Sequence, residues 1–329
     1  MNIEERMQFY NVAGLSITSF ENGRISTTES YGLLELGSNR EVNEQSIFNA
    51  CSISKFLTGI LAMKLVEDGS LDLDSDVNQR LLSWKVPENH FTDNKKVTLR
   101  NLLSHQSGIQ DSKDSFYELN SKIGIPSMIE LLKGQTPYCK EPIEVKSEPG
   151  SEFHYSDAGF CIIQQLIEDV TEKPFSQVMN EHIFEPLEMT QSQFITAIED
   201  VETEHFSCGH NKNGEIVDGK YPIYPYPAAS GLWTTSLDLA TLVLELINAI
   251  KGKSKVGLSQ SSAKEMISPQ GGENWTGLGV FLEKVENELE VTSLGWGVGF
   301  QCMMVTFPYL EKGVAIMTNT DLGVHQLEG

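Results

Sequence analysis

The stretch Phe48-Asn49-Ala50-Cys51-Ser52-Ile53-Ser54-Lys55-Phe56 leads into a segment where Phe56, Leu57, Ile60, Leu61 and Leu65 recur at three- and four-residue spacing. That period is helical, and Asp68-Gly69 closes it with a C-cap signal. Ser52 and Lys55 stand three apart where the helix begins, so both lie on one helical face and their side chains can meet. A serine hydroxyl is a weak nucleophile at neutral pH and must lose its proton to a nearby base. A buried lysine, whose pKa falls on desolvation, is one solution. The helix N-terminus adds positive potential where an acyl oxygen would gain negative charge. Taken alone, Ser-x-x-Lys equally describes a surface serine and lysine on an amphipathic helix, so the rest of the chain has to decide.

Outward from this helix the period changes. Val12, Leu15, Ile17 and Phe20 lead to the hairpin signal Glu21-Asn22-Gly23 and then to Ile25-Ser26-Thr27-Thr28, so residues 11–36 read as strands. Four more strand-like runs lie near the other end, at 277–281, 289–294, 300–307 and 314–318, with turns marked by Asn287, Pro308 and Gly313. Between them, helical spacing returns at 127–133, 158–170 and 236–250, the last with Ser236 as its expected N-cap. We expect an α/β fold of the α+β type, with an antiparallel sheet built from both chain ends and flanked by helices. Residues 1–70 and 236–329 would form the sheet lobe and 71–235 an inserted, mostly helical lobe, with the site in the cleft between them.

Size and composition agree. At 329 residues the chain exceeds the length one hydrophobic core serves, and 40% apolar and 21% charged residues are globular proportions. The 24 Lys and Arg against 46 Asp and Glu give a net charge of −22, a surface that repels phosphate backbones and anionic lipid and mildly favours a cationic substrate. Nucleic acid is not an expected partner. Five cysteines without paired spacing argue against a closed disulfide framework and for a reducing compartment. Met-Asn-Ile-Glu-Glu-Arg starts no leader, and no run of 18 apolar residues occurs, so we expect no membrane span and a cytoplasmic protein unless a leader has been removed.

Two further segments give the Ser-x-x-Lys spacing its company. Pro149-Gly150-Ser151-Glu152-Phe153-His154-Tyr155-Ser156-Asp157-Ala158-Gly159-Phe160 offers a Tyr-Ser-Asp turn at a helix start, and Ser293-Leu294-Gly295-Trp296-Gly297-Val298-Gly299-Phe300 ends a strand in a Gly-rich turn that a substrate backbone could approach. With these three segments the chain resembles the serine hydrolases of the class C β-lactamase and penicillin-binding-protein superfamily, whose relatives include D-aminopeptidases and esterases. The likeness continues through Leu102-Leu103-Ser104-His105-Gln106-Ser107-Gly108, Ile183-Phe184-Glu185-Pro186-Leu187 and Ala228-Ala229-Ser230-Gly231-Leu232-Trp233-Thr234-Thr235, covering nearly the whole chain in the family's order.

The resemblance implies a β-lactamase-like fold, no cofactor, and a set of roles. Ser52 matches the acylated nucleophile, Lys55 the residue that tunes its proton transfer, and Tyr155 the general base or proton shuttle. The backbone N–H groups of Ser52 and Trp296 match the oxyanion hole. Asp157, Ser293, Leu294 and Gly295 fall at substrate-binding positions. Two of these depart from the family's pattern. Asp157 stands where the second motif usually has Asn and cannot donate when ionised, and Ser293 stands where the third motif usually has a Lys or His that anchors a carboxylate. Losing a cation and gaining an anion makes the cleft hostile to carboxylated substrates, unless the register is shifted or another cation serves.

The expected activity is therefore hydrolysis, through an acyl-enzyme, of small esters or amides, D-amino-acid amides or peptides among them. A β-lactamase or D,D-carboxypeptidase is the alternative within the enzyme class, and a non-catalytic ligand-sensing or scaffolding member the alternative outside it. His205, Cys208 and His210 lack a fourth partner and read as structural rather than as a metal site. His105 reads as a loop anchor near the cleft; Trp233, Tyr221, Tyr224 and Tyr226 either line the pocket or pack under a loop. Relatives usually finish in a long helix packed on the sheet, whereas Gly329 follows soon after Thr318-Asn319. An uncovered apolar sheet face would favour a homo-oligomer.

Overall fold

The computed structural model describes residues 2–118 and 124–328. Its strands are β1 (Gly14–Glu21), β2 (Arg24–Gly32), β3 (Phe48–Asn49), β4 (Gln193–Phe194), β5 (Leu232–Thr234), β6 (Phe281–Val285), β7 (Glu288–Gly297), β8 (Phe300–Phe307) and β9 (Lys312–Thr318). The helices are α1 (Ile3–Phe9), α2 (Ser54–Glu67), α3 (Leu99–Leu103), α4 (Met128–Leu132), α5 (Asp157–Thr171), α6 (Phe175–Met179), α7 (Glu185–Leu187), α8 (Pro227–Ser230), α9 (Ser236–Ile250) and α10 (Gln260–Met266).

Six strands form one antiparallel sheet in the order β2-β1-β9-β8-β7-β6, so the first hairpin joins the last three strands through β1 and β9, with Leu15 opposite Thr318. The sheet from both chain ends is borne out. Alternation decides which side each residue takes. Ser16 and Thr18 turn inward, where both hydroxyls share hydrogen bonds of 2.8 Å with Ser236 Oγ at the start of α9. Ser236 is thus spent on the sheet, and the N-cap of α9 is Thr235, whose side chain accepts the Asp238 N–H. Ile17, Met303 and Ile316 face the other way and, with Ile3, Met7 and Tyr10, line an apolar groove of about 340 Å³. The helix that partly covers this face, α1, begins with a capping box of Asn2 and Glu5.

Helix α2 is apolar on every side and enclosed, with Phe56, Leu57, Ile60 and Leu61 fully buried. It packs on α8, α5 and α10, which makes it the central post of the molecule. The run at 277–281, expected as strand, is instead a turn in which Gly277 N–H donates to Val280 O at 2.9 Å, and β6 starts at Phe281. The glycines are the reason. Gly279 has φ +77°, and a Cβ there would lie 2.8 Å from the Lys55 carbonyl oxygen. A second, three-stranded sheet, β3-β5-β4, holds the segment just before Ser52. The five cysteines are buried free thiols. Among the described residues no helix is long and apolar enough to cross a membrane.

Candidate active site

Ser52 sits in a single 3₁₀ turn, Cys51–Ile53, between β3 and α2. Cys51 has φ +49°, a left-handed conformation that costs a non-glycine residue about 1 kcal/mol or more. Its surroundings hold it there. Cys51 N–H donates to Asn49 Oδ1 at 2.8 Å, Ser54 Oγ donates to Cys51 O at 2.6 Å, and Leu232 N–H of β5 donates to Ser54 Oγ at 3.0 Å. Strand β7 presses on the same turn: a Cβ on Gly295 would stand 2.2 Å from the Ala50 carbonyl oxygen. Only glycine permits that approach.

Lys55, 3% exposed, lies beneath Ser52. Its Nζ donates to Ser52 Oγ at 3.3 Å and to Ala229 O at 2.9 Å, and pairs with Asp157 Oδ1 at 2.5 Å. Burial pulls the lysine pKa down, but the Asp157 carboxylate, helped by Tyr155, more than offsets it and leaves the group above its ordinary value. The resting form is the ammonium.

Tyr155 is 40% exposed to the cleft; its ring lies 4.8 Å from Lys55 Nζ and borders the same slot as Ser52. Burial raises its pKa above the ordinary 10.0, against the pull of the Lys55 charge. The His105 ring stacks on the phenol at 4.4 Å between centroids, with 27° between planes. His105 also ties down both neighbours of Tyr155: its carbonyl accepts His154 N–H at 2.8 Å and its Nδ1 accepts Ser156 N–H at 3.1 Å. Burial first, and the Lys55 charge second, push the imidazole down to about 3, so it is neutral across the working range. His105 is an anchor of the loop.

Asp157 opens α5, and Asp111 holds it there. The Asp111 carboxylate accepts Ser156 Oγ–H at 2.8 Å, Asp157 N–H at 2.8 Å and Ala158 N–H at 3.0 Å. Burial, then the charge of Asp157, push the Asp111 carboxyl up despite these donors. No sequence pattern pointed to Asp111, because its partners lie 45 to 47 residues away.

Ser293 and Leu294 border a narrow slot together with Ser52, Lys55, Tyr155 and Phe281. On the other side, Trp296, Asp157, Glu118, Tyr224, Tyr226 and Asp321 line a cavity of about 300 Å³ that opens onto Ser52. The Trp296 indole N–H donates to Asp321 Oδ1 at 3.0 Å, and Tyr224 Oη accepts Val298 N–H at 3.0 Å, which fixes the Gly-rich turn. Of the expected aromatic wall, Tyr224 and Tyr226 reach the cavity; Trp233 is buried against Phe206 and Phe300, and Tyr221 lies beside it. Among the described residues that line slot and cavity, Lys55 is the one cation. His210, weighed as a metal ligand, has both ring nitrogens in use: Nε2 accepts Leu36 N–H at 3.2 Å and Nδ1 donates to Asn319 O at 2.9 Å.

Known proteins share this architecture. The octameric penicillin-binding protein homologue of Pyrococcus abyssi superposes with a TM-score of 0.78 at 24% identity, over 97% of this chain and 72% of that one. The D-amino acid amidase of Ochrobactrum anthropi SV3, complexed with L-phenylalanine, gives 0.77 at 21% identity over 97% and 90%. Among curated relatives, Protein flp of Staphylococcus aureus strain MW2 is 24% identical over 71% of this chain and 43% of its own length. The teichoic acid D-alanine hydrolase of strain MRSA252 is 22% identical over 70% and 53%. The chain thus spans about half the length of the curated relatives it matches. The Beta-lactamase family model, by contrast, matches residues 2–327 without a break, taking in the nucleophile turn, the start of α5 and the edge of β7 alike, and the chain belongs to that family.

Proposed function

We propose that this chain is a serine hydrolase that forms an acyl-enzyme at Ser52 and releases it to water, with small aminoacyl esters and amides as its best substrates. The observation that carries the reading is Lys55 Nζ 3.3 Å from Ser52 Oγ and 4.8 Å from the centre of the Tyr155 ring, with all three residues on one slot. Because Asp157 keeps Lys55 charged, the proton acceptor is Tyr155. Its phenolate, stabilised by the ammonium, takes the Ser52 proton as Oγ bonds to the acyl carbon. The bond to the leaving group then breaks, its electron pair stays on the leaving atom, and Tyr155 returns the proton there. A water repeats the sequence in reverse roles and frees the acid. The backbone N–H groups of Ser52 and Trp296 receive the oxyanion.

The cleft lies between the sheet lobe, 1–70 with 236–329, and the helical lobe, 71–235. Ser293, Leu294 and Gly295 border the substrate on the β7 side. Asp157, Glu118 and Asp321 stand around the cavity among the rings of Tyr224, Tyr226 and Trp296, a surrounding that favours an ammonium group on the acyl portion. The hydrolase and amidase named among the relatives support this substrate class. A fluorophosphonate probe tests the reading: it should label the wild type and leave Ser52→Ala unlabelled. A screen of aminoacyl esters, neutral esters and a chromogenic cephalosporin should rank them in that order; cephalosporin turnover above both ester classes would give the site to β-lactams instead.

A further inference from the structure

On the acyl-enzyme reading, Tyr155 protonates the departing group, which places that group on the Tyr155 side of Ser52, at the slot bordered by Ser293 and Phe281. Beyond that slot the surface is aromatic. The His105 ring, stacked on Tyr155, lies 5.6 Å from Phe153; Phe153 lies 4.4 Å from Trp275 and 6.5 Å from Phe281; and Trp275 and Phe281 are 6.2 Å apart with 26° between their planes. Rings thus continue from the catalytic phenol out to Trp275, which is 38% exposed despite its size. The group is held in place rather than loose: Leu282 N–H donates to Trp275 O at 2.8 Å, and the Trp275 indole N–H donates to Glu273 at 2.7 Å. Nothing in the slot would attract an anion. Ser293 is neutral and buried, and the Lys55 ammonium is taken up by Asp157 and Ala229 O.

We propose that Phe153, Trp275 and Phe281 form a leaving-group subsite that selects an uncharged aromatic or bulky apolar alcohol or amine. The C–O or C–N bond to that group breaks as the bond from Ser52 Oγ forms, and the group leaves as the neutral alcohol or amine with the Tyr155 proton.

Methyl, benzyl and 4-carboxybenzyl esters of one amino acid test this, because all three give the same acyl-enzyme and any preference must appear in kcat/KM rather than in deacylation. The benzyl ester should exceed the methyl ester by about tenfold, the scale of one partly buried ring. The 4-carboxybenzyl ester should fall below the benzyl ester. Trp275→Leu and Phe281→Leu, checked for folding by circular dichroism, should bring the benzyl-to-methyl ratio to within about twofold of unity. Equal kcat/KM for benzyl and methyl esters in the wild type, or a ratio that both substitutions leave intact, overturns the subsite. Calorimetric binding of the same esters to Ser52→Ala reads it without turnover and should show the same ranking. Absence of hydrolysis with that ranking present would overturn the acyl-enzyme reading and leave the subsite standing; loss of the ranking with hydrolysis intact would do the opposite.

Discussion

Lys55 is enclosed by three acceptors and two rings, and on the proposed reading its ion pair with Asp157 leaves the proton transfer to Tyr155. Lys55→Ala and Tyr155→Phe should each lower turnover about a hundredfold or more, the usual worth of acid–base assistance. The double variant should be little slower than either single one, since residues that act as one unit lose most of their value together. Single-turnover kinetics would show it. A phenol raised above 10.0 is almost wholly protonated at neutral pH, so kcat/KM should climb steadily from pH 7 to 10 without a plateau. Neutral His105 should add no limb between pH 5 and 8; a limb there that disappears in His105→Gln would contradict the anchor role. Asp157→Asn combined with Ser293→Lys should raise the ratio of cephalosporin to neutral-ester kcat/KM, and an unchanged ratio would remove charge selectivity from these two positions. Ser52, Lys55 and Tyr155 were legible because each sits in a compact motif. The stack of His105 on Tyr155 and the three donors on Asp111 were not, because folding alone brings those partners together.

Elements were legible where one period ran long enough. The enclosed helix α2, the hairpin β1–β2 and the late strands β7 to β9 could all be read from spacing, whereas β3, β4 and β5 are two or three residues long and carry no period at all. The shift of β6 to Phe281–Val285 came from backbone contact with the Lys55 carbonyl, which no local pattern reports. Helix α1 did carry a readable signal, Asn2 followed by Glu5 with Ile3, Met7 and Tyr10 on one face, but at seven residues it is too short for one period to stand out. At this scale the start of α5 depends on a residue outside it. Asp111→Ala removes an acceptor from three donors and should cost about 2–3 kcal/mol, measured as a lower urea midpoint. Gly295→Ala should do more harm to activity than its one carbon suggests, because β7 would have to retreat from the Ala50 carbonyl and take the Trp296 backbone with it.

For the molecule as a whole, charge and acid response can be set against each other. A net charge of −22 concentrates cations near a cleft that holds three carboxylates, so kcat/KM for an amine-bearing ester should fall as salt rises from 10 to 500 mM while that for a neutral ester holds. Acid acts through the fold. The His105 pKa lies at about 3 in the folded state against 6.5 when free, so between those values the unfolded chain binds the extra proton. Stability from this residue is complete above pH 6.5 and is lost as pH falls toward 3, by up to about 1.4 kcal/mol per pH unit. Urea midpoints taken from pH 7 to 5 should fall less steeply in His105→Gln, whose amide oxygen can still accept the Ser156 N–H.

The pairing of β1 with β9 also sets an order in time. During synthesis the hairpin β1–β2 emerges well ahead of β9 and stays without that neighbour until Lys312–Thr318 has been made, and the turn around Ser52 waits for β7. A chain stalled before residue 297 would carry its nucleophile with no wall beside it. On the acyl-enzyme reading such a chain could not be acylated by substrate, and its unpaired strands would be offered to chaperones and proteases instead.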